Sequence, residues 1–162
     1  MKIKIFATGG TIDKDYASKA GTYNFEISEP AAKRILDNVN LNFEFSITSV
    51  LKKDSLDFTD EDRQRIYDAC INEANNKIII THGTDTIVET AKKLSIIKDK
   101  VIVLVGASKP AKFLDSDASF NIGTAFGAIN ILDNGIYIAM NGRIFHCHNV
   151  RKNKDGKFET IK

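Results

Sequence analysis

Proline and cysteine are scarce in this 162-residue chain, at two each. Pro30 and Pro110 stand alone, and no Pro-rich or low-complexity stretch marks a linker. Cys70 and Cys147 lie far apart and form no CxxC pair, so there is no disulfide framework, and reduced thiols of a cytoplasmic protein are the expectation. Long hydrophobic runs are also missing. The longest apolar stretch, Val101 to Val105, is far short of the ~18 residues that a transmembrane helix needs. The start, Met1-Lys2-Ile3-Lys4-Ile5-Phe6, alternates polar and apolar as a strand does, whereas a signal peptide needs an unbroken apolar run of ~7–15 residues. Charge of one sign is not in excess either. With 23 Lys+Arg against 21 Asp+Glu, the net charge of +2 is too small to imply a nucleic-acid partner.

What is present is ordinary globular composition, 43% hydrophobic and 27% charged. At this size folding buries roughly 68–70% of the unfolded surface, enough for one domain with its own core. Strands and helices alternate along the chain. Ile3–Ala7, Phe43–Leu51, Lys77–Ile80 and Val101–Val105 read as strands. Helices are expected from Pro30 to about Asn38, from a Thr59 cap to about Asn75, from about Thr84 to Ile96, and from about Asp117 to Leu132. Ile136–Met140 and Arg143–Cys147 read as a hairpin turning at Asn141-Gly142. Short, nearly all-apolar strands between helices indicate an α/β fold, a mainly parallel sheet with helices on both faces. The stretch from Ile12 to Tyr23 reads as a long loop, and Lys152, Lys154 and Lys157 as a solvated tail.

Ligands of such sheets bind at the carboxyl ends of the strands. Four turns follow those ends: Thr8-Gly9-Gly10-Thr11, Asp54-Ser55-Leu56-Asp57, Thr81-His82-Gly83-Thr84-Asp85-Thr86 and Gly106-Ala107-Ser108-Lys109-Pro110. They bring hydroxyls, a carboxylate and close-approaching backbone to one rim, which suits a small polar ligand. No GxGxxG opens a helix and no GK[ST] follows the glycines, so a dinucleotide or P-loop site is excluded. In Thr81–Thr86 the local reading is that Thr84 caps a helix and Asp85 favours its dipole. His82 reads as a packed or hydrogen-bonded residue behind that turn. His146-Cys147-His148 looks metal-like, yet on a strand the two histidines share one face and Cys147 the other, so no metal site is assigned.

Taken in order, TGGTI, DSLD, THGTDT, GASKP and Ser116-Asp117 with Asn121 resemble the bacterial-type L-asparaginases, specifically their N-terminal domain. The resemblance covers essentially the whole chain and leaves no C-terminal domain to be expected within residues 1–162. It implies that Thr11 is the nucleophile and that Tyr23 is the loop tyrosine that helps activate it, with Tyr16 as the competing position. It implies that Ser55 holds the substrate α-carboxylate and that Thr84 and Asp85 are the second catalytic threonine and the aspartate on the α-amino group. Ala107 lines the amide pocket, Gly10 and Gly83 border the substrate, and Lys152 is the catalytic lysine. Leu56 departs from the pattern, standing where some members carry a polar substrate-contacting side chain. The family completes its site with an acidic residue from the second domain, usually a neighbouring subunit's, and nothing in this chain matches it.

The implied function is hydrolysis of the side-chain amide of L-asparagine, or L-glutamine, without cofactor or metal. An unassisted threonine is a poor nucleophile and needs a nearby proton acceptor. A Thr84–Asp85–Lys152 cluster supplies one, and N–H groups at Gly10–Thr11 and Thr84 are candidates to stabilise the oxyanion. The alternative is a non-catalytic or weakly active amino-acid-binding module that keeps the pocket. The expected partners are a small amino-acid substrate and further copies of the chain, in a homo-oligomer that covers the rim.

Overall fold

The structure, a computed structural model, describes residues 1–17 and 24–161. A six-stranded sheet runs in the order β4-β1-β5-β6-β7-β8, with β1 at Lys2–Gly9, β4 at Glu44–Lys53, β5 at Lys77–Thr81, β6 at Val101–Val105, β7 at Gly135–Met140 and β8 at Arg143–His146. The first five strands pair in parallel and β8 returns antiparallel to β7. The return is made at Asn141 (φ 54°) and Gly142 (φ 75°), the left-handed pair that a two-residue hairpin matching the strand twist requires.

Successive side chains of a strand point to opposite faces, and the sequence uses that to build two cores. Ile78, Ile80, Ile102, Leu104, Ile136 and Ile138 face α2 (Asp60–Asn72) and α3 (Ile87–Leu94), which contribute Ile66, Cys70, Ala91 and Leu94. Ile3, Ile5, Ile79, Val101, Val103 and Val105 face α1 (Ala31–Asp37) and α4 (Ala118–Ile129), which contribute Ala32, Leu36, Ile122, Ala125 and Ile129. The expected α/β architecture with helices on both faces is therefore the one observed. Among the described residues, no helix is long and apolar enough to cross a membrane.

Three local expectations are corrected. The segment after Thr11 is not simply a loop: β2 (Lys14–Tyr16) and β3 (Phe25–Ile27) pair as an antiparallel ribbon, with Tyr16 stacked on Phe25 at 4.9 Å between ring centroids. The lysine-rich end is not a solvated tail. β9 (Val150–Lys152) pairs with β10 (Phe158–Thr160), and Val150 and Phe158 are buried in the α2–α3 core. The Asn153 carboxamide organises the turn between them by accepting from the N–H groups of Asp155 and Lys157, each at 3.0 Å. Finally, β8 ends at His146, so Cys147 and His148 lie in the turn beyond it and the two histidine rings sit 5.6 Å apart.

Candidate active site

The four turns converge as the sheet topology requires, and their glycines are what lets them touch. Gly10 (φ 82°) lies against Gly83, whose backbone occupies the space a Gly10 side chain would need. A Cβ on Gly83 would fall 2.5 Å from the Ser55 hydroxyl oxygen, and one on Gly106 would fall 2.5 Å from the His82 carbonyl and 3.0 Å from Thr84 Cγ2. The Thr11, Ser55, Thr84 and Ala107 segments are thus packed with no room for side chains between them. Gly10 donates its N–H to the Lys53 carbonyl at 3.0 Å, which binds the Thr11 turn to the strand feeding Ser55. Thr86 donates its hydroxyl to the Ser55 carbonyl at 2.7 Å.

Thr84 and Asp85 lie in the turn ahead of α3, which begins only at Ile87. The expected capping role of Thr84 therefore fails. Its hydroxyl accepts from Lys152 Nζ at 3.0 Å, and the same ammonium donates to Asp85 Oδ1 at 2.7 Å. Lys152 ends β9, which the Asn153 turn and an Arg151–Glu159 ion pair of 2.7 Å hold in place. Thr84 is buried, while the Asp85 side chain is 46% exposed and faces the rim.

Ser55 opens a single 3₁₀ turn (Ser55–Asp57), and its hydroxyl is fully buried with no hydrogen-bond partner. An orphaned buried hydroxyl is costly in a native core, and Arg63 Nε, Thr81 Oγ1 and Asn121 Oδ1 share that state among the described residues. Ala107 is buried on the loop after β6. Asp117 shapes that loop by accepting from the Ser108 N–H at 2.9 Å and the Lys109 N–H at 3.2 Å, and Asn121 donates to the Gly106 carbonyl at 3.0 Å. Leu56 is 70% exposed beside Ser55. His82 sits behind the rim as expected: its Nδ1 is 2.7 Å from the Gly83 carbonyl and its Nε2 is 2.8 Å from the Thr90 hydroxyl. Burial pushes it down to about 4, so it stays neutral and structural at physiological pH. Among the described residues, no group of three or more His, Cys, Asp or Glu is placed to hold a metal ion.

The asparaginase N-terminal family model matches residues 2–162. The chain belongs to that family. It is 32% identical over 162 aligned residues to a glutaminase-asparaginase of Acinetobacter glutaminasificans, covering 93% of this chain and 49% of that protein. It is 30% identical over 176 aligned residues to L-asparaginase 2 of Bacillus subtilis (strain 168), covering 99% and 46%. The thermostable L-asparaginase from Thermococcus kodakarensis superposes with a TM-score of 0.86 at 26% identity, covering 99% of this chain and 51% of that one. The chain thus spans about half the length of these relatives.

Within this asparaginase N-terminal fold, Gly10, Ser55, Gly83, Thr84, Asp85, Ala107 and Lys152 come together at one rim, and Thr11, next to Gly10, begins a short 3₁₀ turn there. Tyr23 lies outside the described residues. Tyr16 is on the ribbon with its side chain largely exposed and stacked on Phe25.

Two features have no sequence signal. Lys14 pairs with Asp54 across 40 residues of chain, and Asp13 is a buried acid. One oxygen of Asp13 accepts from the Ala31 N–H at 2.8 Å, yet burial dominates and pushes it up to about 7 from 3.8. The unfolded chain releases this proton near pH 4 and the folded chain near pH 7. Between those values the native state binds the extra proton, so stability falls as pH rises from about 4 to about 7 and stays low above, by on the order of 4 kcal/mol. Asp13→Asn keeps the acceptor for Ala31 and removes the charge. Urea melts at pH 5 and pH 8 should show the variant gaining more stability over the parent at pH 8 than at pH 5. An equal difference at both pH values would show that Asp13 is not the titrating group.

Proposed function

We propose that this chain carries the nucleophile-bearing half of an amidohydrolase site that releases ammonia from the side-chain amide of L-asparagine, with L-glutamine as the second substrate. The reading is carried by one observation: Lys152 Nζ reaches both Thr84 Oγ1 and Asp85 Oδ1 at the same rim where the Ser55 hydroxyl is buried and unpartnered. Thr84 accepts from Lys152, so its own O–H is directed elsewhere, toward the substrate or an attacking water. Ser55 donates to the α-carboxylate, and the second Asp85 oxygen takes the α-ammonium.

In this mechanism Thr11 Oγ attacks the amide carbon, its proton passes to the departing nitrogen, and ammonia leaves an acyl-enzyme. Water then attacks the ester and restores the Thr11 hydroxyl. The Gly10 N–H is committed to Lys53, so the oxyanion donors fall to the N–H groups of Thr11 and Thr84. In Thr11, Thr84 and Lys152 the arrangement provides a nucleophile, a hydroxyl relay and a proton carrier, the set that acyl transfer by a hydroxyl requires.

Titration calorimetry with aspartate and with succinate, which lacks the amino group, tests the binding half. Asp85→Ala should weaken aspartate about tenfold more than succinate, since only aspartate loses a charge-assisted bond. Equal losses for the two ligands would reduce Asp85 to a support for Lys152. Aspartate binding without ammonia release from asparagine would favour the binding-module reading.

A further inference from the structure

We propose that the Lys14–Asp54 ion pair is a latch that fixes the distance between the Thr11 turn and the Ser55 turn, which makes Lys14 and Asp54 positioning residues for the carboxylate end of the substrate. The inference rests on the amidohydrolase reading above and pairs Asp54, which opens the DSLD motif, with Lys14, which lies outside the motifs. Lys14 follows Thr11 by three residues and opens β2. Its Nζ is 2.6 Å from Asp54 Oδ2, and both side chains are only 27% exposed. The other oxygen of the same carboxylate, Oδ1, accepts from the Leu56 N–H at 3.2 Å and so shapes the turn that begins at Ser55. One carboxylate thus holds the Ser55 turn from within and β2, which follows the Thr11 turn, from outside. The hydrogen bond from Lys14 also holds the Asp54 carboxyl below its usual range, so the charge that fastens the latch persists into mild acid.

Ser55 has no slack to absorb a loosened latch. Its hydroxyl is wedged beneath Gly83, where even one added carbon would collide with it. Adjacent residues of a strand point to opposite sides, and Asp15 duly turns the other way, pairing with Lys112 of the loop after β6 at 2.8 Å. The ribbon is therefore moored at two points to two different loops. This arrangement makes a specific forecast: losing the first mooring disturbs the Ser55 end of the site, while losing the second does not.

The test is a double-mutant cycle in the full chain, using Lys14→Met, Asp54→Asn and both together, with Lys112→Met as the control. Asn at position 54 keeps an acceptor for the Leu56 N–H, so Asp54→Asn removes the ion pair and leaves the turn cap. Each single variant should weaken aspartate binding about fivefold and raise KM for asparagine more than it lowers kcat. The double variant should be no worse than the weaker single. Lys112→Met should leave aspartate affinity within about twofold. Hydrogen exchange without ligand reads the latch independently of function: Lys14→Met should speed exchange of the Leu56 and Asp57 amides. Unchanged exchange there, additive losses in the cycle, or an equal loss in Lys112→Met would overturn the latch. A parent chain that neither binds aspartate nor releases ammonia, while the exchange coupling holds, would overturn the amidohydrolase reading and keep the latch as a structural tie.

Discussion

Thr11→Val is expected to lower ammonia release from asparagine by ~10³-fold or more, with the fold and aspartate binding retained. Valine keeps the β-branched shape at the turn after Gly10 and loses only the hydroxyl. Thr11 is half-buried at the mouth of that turn, while the neighbouring Ile12 is buried and anchors it in the α1–α4 core. The substitution therefore removes the attacking atom without opening a cavity. In the proposed function aspartate is held by Ser55 and Asp85, neither of which the change touches, so its Kd should move by less than about twofold. Turnover within tenfold of the parent would remove Thr11 from the nucleophile's role and turn attention to Thr84.

The second large effect is expected of Lys152→Met, a loss of ~10²–10⁴ in kcat, the range typical of removing a positioned proton-transfer group. Methionine retains the apolar stem against the hairpin and deletes the ammonium that touches both Thr84 and Asp85. Without it Asp85 gains freedom and Thr84 loses the donor that orients its hydroxyl. The signature is a kcat loss larger than the KM change, in contrast to Asp85→Ala, where KM should dominate. Lys152→Arg keeps the charge but not the compact point geometry and should recover only part of the rate. A Lys152→Met variant with unchanged kcat would leave the ion pair with Asp85 as a hairpin tie only.

Much of this arrangement is legible in the sequence, for local reasons. Val101–Val105 is a strand with the expected limits because five consecutive apolar residues bounded by Lys100 and Gly106 leave no other buried solution. Thr59 caps α2 with a reciprocal box, its hydroxyl accepting from the Asp62 N–H and the Asp62 carboxylate accepting from the Thr59 N–H. The rim turns are readable because a glycine at a strand's carboxyl end signals close approach.

What escapes the sequence is set by distant partners. In sequence Thr84 reads as a helix cap and Asp85 as an acid favouring the helix dipole, with Thr86 following them. Lys152 takes the first two and the Ser55 carbonyl takes the hydroxyl of the third, so α3 starts later than its composition suggests. The paired strands β2–β3 and β9–β10 have three residues each, too few to show a period. Lys14 and Asp54 carry no mark of their pairing, because forty residues separate them and charge alone does not select a partner.

The measurement that bears most directly on the amidohydrolase reading is ammonia release by the chain itself from asparagine, glutamine and short amides, at several protein concentrations with light scattering alongside. The expected result is release that is fastest with asparagine, lower with glutamine, and near background with amides lacking the α-amino and α-carboxylate groups. Specific activity should rise with concentration as copies associate and cover the rim, which excludes water and strengthens each electrostatic contact there. No ammonia from any of these amides at any concentration, with aspartate still bound, would contradict the amidohydrolase reading and leave an amino-acid-binding module in its place.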